Sequence, residues 1–118
     1  MNKAYLHLKK DYEFKRAYKK GKTRVSPALV VYCVKKKYGG VRIGITTAKK
    51  IGNAVKRSRA RRVIREAFRE LYPRVRGSWD IVFVARSRTA FVKMQYVRDN
   101  MLSQLKELGV ITDEEAGN

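Results

Sequence analysis

The segment Ile51 to Tyr72, IGNAVKRSRARRVIREAFRELY, constrains the fold of this chain more than any other. On a helical repeat Ala60, Val63, Ile64, Ala67, Phe68 and Leu71 fall on one stripe, while Ser58, Arg61, Arg62, Arg65 and Arg69 cluster on the opposite face. An apolar stripe of that length demands a second layer to pack against, and the other face then becomes a rigid cationic strip. Arg57, Arg61 and Arg65 follow one another at four-residue steps and repel, a cost that a merely solvated face of mixed sign avoids. The strip therefore predicts contact with RNA or DNA. Guanidinium groups suit phosphate because their planar fork donates two parallel hydrogen bonds, and they also stack on exposed bases.

The overall charge agrees. Lys plus Arg number 29 against 10 Asp plus Glu, a formal charge of +19, and a self-repelling excess of this size is tolerated mainly when a polyanion neutralises it. A chain of 118 residues with 44% hydrophobic content suits one domain, 1–118, with flexible ends expected at 1–3 and 112–118. No apolar run approaches the roughly 20 residues of a spanning helix, and no signal-peptide pattern opens the chain. No membrane partner is expected, and the cytoplasm is the expected location. Cys33 stands alone and cannot form an internal disulfide, which agrees with a reducing compartment.

Around the long segment the pattern predicts a first helix from Asp11 to Lys20, capped by Asp11 and ended by Gly21, with Phe14 and Tyr18 on one face. Strands are expected at Ala28 to Lys35 and Val41 to Thr47, joined as an antiparallel hairpin through Gly39 and Gly40, with Lys22 to Val25 as a short edge strand. Both alternating sets of the first strand are largely apolar, so cover on two sides is expected. Asp80 to Ala85, DIVFVA, reads as a buried strand in mid-sheet. A last helix runs from Ala90 to Leu108, with Thr89 as cap and Gly109 as stop. The class is α+β, a small layered sandwich of a mixed four-stranded sheet and three helices in the order αβββαβα.

Catalytic groups are scarce. The only histidine is His7 and the only cysteine Cys33, so no cluster holds zinc and no Cys–His nucleophile pair exists. His7 reads as an exposed residue and Cys33 as a small core residue. Glu66 and Glu70 lie within range of Arg62, Arg69 and Arg74 and read as structural ion pairs. No Gly-rich phosphate loop precedes a helix. The polypeptide by itself reads as a binder rather than a catalyst.

The run GITTAKKIGNAVKRSRARRVIREAFR, Gly44 to Arg69, closely resembles the signature of the bacterial ribonuclease P protein component, and the similarity continues through SWDIVFVAR to cover nearly the whole chain. The family pattern KKIGNAV, then a basic R-N-R core, then K-R-x-x-R-E, is met by Lys49 to Val55, Arg57-Ser58-Arg59, and Arg61-Arg62-Val63-Ile64-Arg65-Glu66. Ser58 departs from the usual asparagine and loses the amide's second donor.

The resemblance implies a subunit that joins a large catalytic RNA, one protein per holoenzyme RNA, to remove the 5′ leader from precursor tRNA. The hydrolysis would use Mg2+ held by the RNA, with no metal site on the protein. It implies catalytic-RNA contacts at Lys56, Arg57, Ser58, Arg59, Arg61, Arg62 and Arg65. It also implies a leader cleft between the first helix and the sheet, with Phe14, Tyr18 and Tyr32 as its aromatic positions. Lys49, Lys50 and Arg86 would flank that cleft. Unstacked bases gain roughly 1 to 3 kcal/mol each on such a platform without demanding a sequence. For the fold, the resemblance implies that of the second domain of a small-subunit ribosomal protein, with a left-handed crossover around the Arg-rich helix where the general rule would be right-handed. The alternative reading is a ribosomal protein acting as a structural rRNA binder, against which stand the aromatic trio and the absence of long basic tails. A DNA-binding regulator would need a recognition helix beside a short turn and a second helix, whereas the long helix here is flanked by strands.

Overall fold

The computed structural model describes residues 5–112. In chain order the elements are β1 (Leu6–His7), α1 (Asp11–Lys20), β2 (Lys22–Val25), β3 (Leu29–Lys36), β4 (Val41–Thr46), α2 (Ala54–Leu71), β5 (Ser78–Ala85) and α3 (Met94–Glu107). Short 3-10 turns at Lys49–Ile51, Tyr72–Arg74 and Ser87–Phe91 join them. The α+β class and the three helices are as expected, and Lys22–Val25 does form an edge strand. The sheet has five strands rather than four, in the spatial order β1-β4-β5-β3-β2. The added strand is the two-residue β1, which runs parallel to β4 and is too short to carry a periodic signal. Apart from Thr112, the expected flexible ends lie outside the described residues.

The expected hairpin between β3 and β4 does not form, because β5 enters between them. It pairs antiparallel with β3, Val31 opposite Phe83, and parallel with β4, Ile43 opposite Ile81. A strand apolar on both faces is best accommodated where both edges are paired and both faces covered, and β5 meets that with Ile81, Val82 and Phe83 fully buried. The turn that was to close the hairpin serves β5 instead. Gly39 and Gly40 take φ values of 104° and 74° that L side chains rarely adopt. They splay β3 from β4 so that Gly40 accepts from Trp79 N–H at 3.1 Å and donates to Ser78 Oγ at 2.9 Å.

Two apolar layers form on opposite sides of the sheet. On one, α2 and α3 bury Ile64, Phe68, Val97, Met101 and Leu105 against Leu29, Val31, Cys33, Ile43 and Phe83. On the other, α1 covers part of the sheet, where Leu8, Ala17 and Val82 pack with Phe14, Tyr32, Val34 and Val84. The predicted two-sided cover of β3 is thus complete on the α2 side and partial on the α1 side.

Helix ends differ from expectation for local reasons. Asp11 is the first residue of α1 rather than its cap, and Glu13 in the first turn reaches back to the residues just before the helix, its Oε1 accepting from Lys9 and Lys10 N–H, each at 2.9 Å. The Arg-rich helix begins at Ala54 after the 3-10 turn, with Asn53 Oδ1 accepting from Lys56 N–H at 3.0 Å as a side-chain cap. The last helix begins at Met94, since Ser87–Phe91 forms a 3-10 turn. Thr89 lies inside that turn and accepts from Arg86 N–H at 2.9 Å. Gly109 does end α3, at φ 84°, with Val110 N–H reaching Leu105 O at 2.9 Å in the manner of a Schellman motif.

Candidate nucleic-acid interface

Burial of Ala60, Val63, Ile64, Ala67, Phe68 and Leu71 turns the opposite face of α2 outward, as the repeat requires. The predicted RNA-contact residues then divide into two groups. Lys56, Ser58, Arg62 and Arg65 are exposed, and Arg69 continues the row one turn beyond Arg65. Among the described residues Arg62, Arg65 and Arg69 form no hydrogen bond or ion pair, so their forks are open to solvent. Arg57, Arg59 and Arg61 are half-buried and partly engaged. Arg57 donates to Gly52 O at 2.6 Å and Arg61 to Thr47 Oγ1 at 2.8 Å. Arg59 lies off the strip, donating to Ala90 O at 2.9 Å and Val92 O at 3.1 Å.

The aromatic trio shares the α1 side of the sheet. Tyr18 and Tyr32 meet edge to face with centroids 5.0 Å apart. The Phe14 ring lies over Gly44, where an added Cβ would sit 2.6 Å from Cζ. Phe14 is therefore half packing residue and half surface, and Tyr18, 41% exposed, is the freer of the two on α1. Beyond Tyr32 along the same face α1 no longer covers the sheet, and an open groove of about 930 Å³ remains. Val30 and Val84, paired in register, lie on that face, and Val25, Pro27, Lys50, Arg86 and Arg88 also line the groove. Arg86 is steadied by donating to Ser26 O at 2.8 Å. The structure thus brings Lys50 and Arg86 to one groove next to the aromatic set, whereas Lys49 sits exposed on the adjoining turn and does not line it.

What fastens α1 to the sheet is an ion cluster that no spacing in the sequence reveals. Asp80, 1% exposed, accepts from Arg42 Nε at 2.9 Å and Arg42 Nη2 at 2.8 Å, and meets Lys36 Nζ at 2.9 Å and Arg16 Nη2 at 3.2 Å. Arg42 also donates to Glu13 Oε2 at 2.7 Å. Burial alone would raise the Asp80 carboxyl, but the hydrogen bonds and charges of Arg42 and Lys36 outweigh it and hold the group below its ordinary value. Glu13 is held low chiefly by the Lys10 and Lys9 backbone donors. The Arg42 guanidinium is raised further, first by its hydrogen bonds to Asp80. Since Arg16 and Glu13 belong to α1, Arg42 to β4, Lys36 to β3 and Asp80 to β5, the cluster ties the helix to three strands.

The remaining titratable groups offer little chemistry. Cys33 is buried, and desolvation pushes its thiol up to about 11, which makes it inert as a nucleophile. His7 is exposed on β1, its ring 5.6 Å from that of Tyr5. Glu70 is ion-paired, as expected, but its partner is Arg98 of α3 at 2.9 Å and not an arginine of its own helix. Among the described residues no group of three or more His, Cys, Asp or Glu is placed to hold a metal ion, and no helix is long and apolar enough to cross a membrane.

Comparison with known proteins accords with this geometry. The family model for ribonuclease P matches residues 1–109. The ribonuclease P protein component of Alkaliphilus oremlandii is 33% identical over 109 residues, 92% of this chain and 96% of its own. That of Clostridioides difficile is 44% identical over 80 residues, 67% of this chain and 70% of its own. Among solved structures, a Staphylococcus aureus RNase P protein superposes with a TM-score of 0.79 at 33% identity, covering 93% of this chain and 100% of that one. The Thermotoga maritima RNase P protein gives 0.74 at 29% identity, covering 89% and 97%. Sequence and fold agree over nearly the full length, and the chain belongs to the ribonuclease P protein family.

Proposed function

We propose that this chain binds the catalytic RNA of ribonuclease P through α2 and the single-stranded 5′ leader of precursor tRNA along the α1 side of its sheet. By holding both, it assists endonucleolytic removal of the leader in the cytoplasm. The observation that carries the reading is the pairing of two distinct cationic surfaces on one small domain. One is a row of open guanidinium forks on a packed helix. The other is a groove with Lys50, Arg86 and Arg88 around an apolar base, beside the Tyr18–Tyr32 pair.

The two surfaces suit different ligands. A rigid row of forks fits the fixed phosphate spacing of folded RNA, and each phosphate it neutralises releases condensed counterions. A groove of aromatic and aliphatic side chains with cations at its edge fits unstacked bases of any sequence, as a subunit facing many different leaders requires. Bond cleavage is assigned to the RNA subunit and its Mg2+, with no metal ligand on the protein. The protein's contribution is charge neutralisation where two polyanions meet, which lowers the Mg2+ concentration the assembly needs and favours leader-bearing precursor over leaderless product.

The test is cleavage of a precursor tRNA by the cognate RNA at low Mg2+, with and without the protein. Stimulation of cleavage and tighter binding of leader-bearing than leaderless tRNA are expected. No stimulation and no leader preference would sink the proposal.

A further inference from the structure

The turn Ser87–Phe91 separates the two cationic surfaces, and it displays an aromatic side chain that neither the packing nor the functional reading above employs. Phe91 is 64% exposed, while its neighbours Thr89 and Ala90 are buried at 0% and 4%. Lys56 Nζ stands over the ring, 5.0 Å from its centroid. The backbone that carries the ring is fixed from both sides. Thr89 accepts from Arg86 N–H and donates to Ala28 O, and the Arg59 guanidinium holds the carbonyls of Ala90 and Val92 on either side of Phe91. A large apolar ring kept in water on a rigid mount, with a cation over it, is arranged to receive a flat partner.

Charge selects the partner. No acidic residue occurs in 44–65 or in 81–98, the two stretches that meet at this ring, whereas Lys50, Lys56, Arg57, Arg86 and Arg88 all do. A purely apolar protein surface would gain the ring and leave those cations unpaired. A nucleotide satisfies both, since its base offers a π face and its phosphate lies within the reach of a lysine or arginine. We propose that Phe91, with Lys56 across the ring, is a stacking site for an unpaired nucleobase of the RNA partner. The inference rests on the RNA-binding reading above and adds to it a specific contact. The turn borders both the groove and the start of α2, so the base comes either from the catalytic RNA or from the leader.

The experiment uses the full-length protein, its cognate RNA and a precursor tRNA, comparing wild type with Phe91→Ala and Phe91→Trp over a salt series. Because Phe91 is exposed, unchanged circular dichroism is expected for both variants. Loss of one stacked base should weaken binding by about 5- to 150-fold, the equivalent of roughly 1 to 3 kcal/mol. The slope of log affinity against log salt should not change, because a neutral ring neutralises no phosphate. Phe91→Trp should restore binding. A loss in the binary complex with the catalytic RNA identifies that RNA as the source of the base, and a loss only in holoenzyme affinity for leader-bearing precursor identifies the leader. Either supports the site. Affinities within twofold of wild type in both measurements, or a loss accompanied by a shallower salt slope, would overturn it. If wild type itself binds neither RNA, the functional reading fails first, and the two failures are thereby distinguished.

Discussion

Replacement of Asp80 by Asn should destabilise this protein severely and in a pH-dependent way. The side chain is 1% exposed and is the common acceptor for Arg42, Lys36 and Arg16. Asparagine keeps the shape, but one of its two polar atoms becomes an NH2 facing cationic donors, and the negative charge is gone. Breaking a buried ion pair by removing one partner costs about 3 to 5 kcal/mol. Here the cations are partly wet, at 24% exposure for Arg42, 20% for Lys36 and 45% for Arg16, so they recover some hydration. About 3 kcal/mol is the appropriate figure. For a domain of this size each kcal/mol moves Tm by about 4 °C, so the expected loss is about 12 °C.

The assay is thermal unfolding followed by circular dichroism, in a buffer without phosphate or sulfate, since bound anions would stabilise the native state independently. The sign of the pH effect follows from the depressed carboxyl. Its contribution is present above the unfolded value of about 4 and is lost as pH falls through the lower folded value. The gap in Tm between wild type and Asp80→Asn should therefore be constant from neutral pH down to about 5 and close under more acidic conditions. A loss under 1 kcal/mol at neutral pH, or a gap that persists unchanged into strong acid, would refute the reasoning.

Two further outcomes follow from the interface. Arg62→Ala with Arg65→Ala should flatten the salt dependence of catalytic-RNA binding, each lost phosphate contact removing roughly 0.7 to 0.9 from the log–log slope, and an unchanged slope would exclude a phosphate role. Gly44→Ala should push the Phe14 ring out of its seat, because the new Cβ would fall 2.6 Å from Cζ. Overpacking of this kind costs about 1 to 3 kcal/mol; Phe14→Leu in the same chain should recover stability, and additivity of the two changes in a denaturant titration would show that the ring does not rest there.

The elements that sequence made legible are those whose pattern is set locally. The stripe from Ala60 to Leu71 fixed α2, and the continuous apolar run after Asp80 fixed a central strand, because in both cases burial follows directly from spacing. Strand order was not local. The residues between β3 and β4 carry a turn signal that a hairpin would also show, and only competition with β5 for both strand edges decides against it. The same limit applies to the site. A row of arginines on a helix announces a polyanion. The resemblance named the aromatic positions Phe14, Tyr18 and Tyr32, but nothing in the spacing reveals that Phe14 rests on a glycine two strands from Tyr32. The Asp80 cluster was unreadable because its members come from four elements. The one available signal was an acid opening an otherwise apolar central strand, which requires a buried partner.

The arginines of α2 differ in what they would forgo by turning to phosphate, and that difference ranks them within the proposed RNA-binding face. Arg62, Arg65 and Arg69 have no partner among the described residues, so a phosphate contact replaces only water. Arg59 would first release the carbonyls of Ala90 and Val92, and Arg61 the hydroxyl of Thr47. A hydrogen bond from a charged donor contributes about 1.5 to 3 kcal/mol, so an Arg59 that left both carbonyls would surrender much of what a phosphate returns. It would also loosen the turn that carries Phe91. On this reasoning Arg59 is better suited to holding that turn than to leaving it for a phosphate. The Arg-rich helix thus carries two kinds of arginine: those whose forks are open to solvent and free to take a phosphate, and those, such as Arg59 and Arg61, that hold neighbouring chain segments in place.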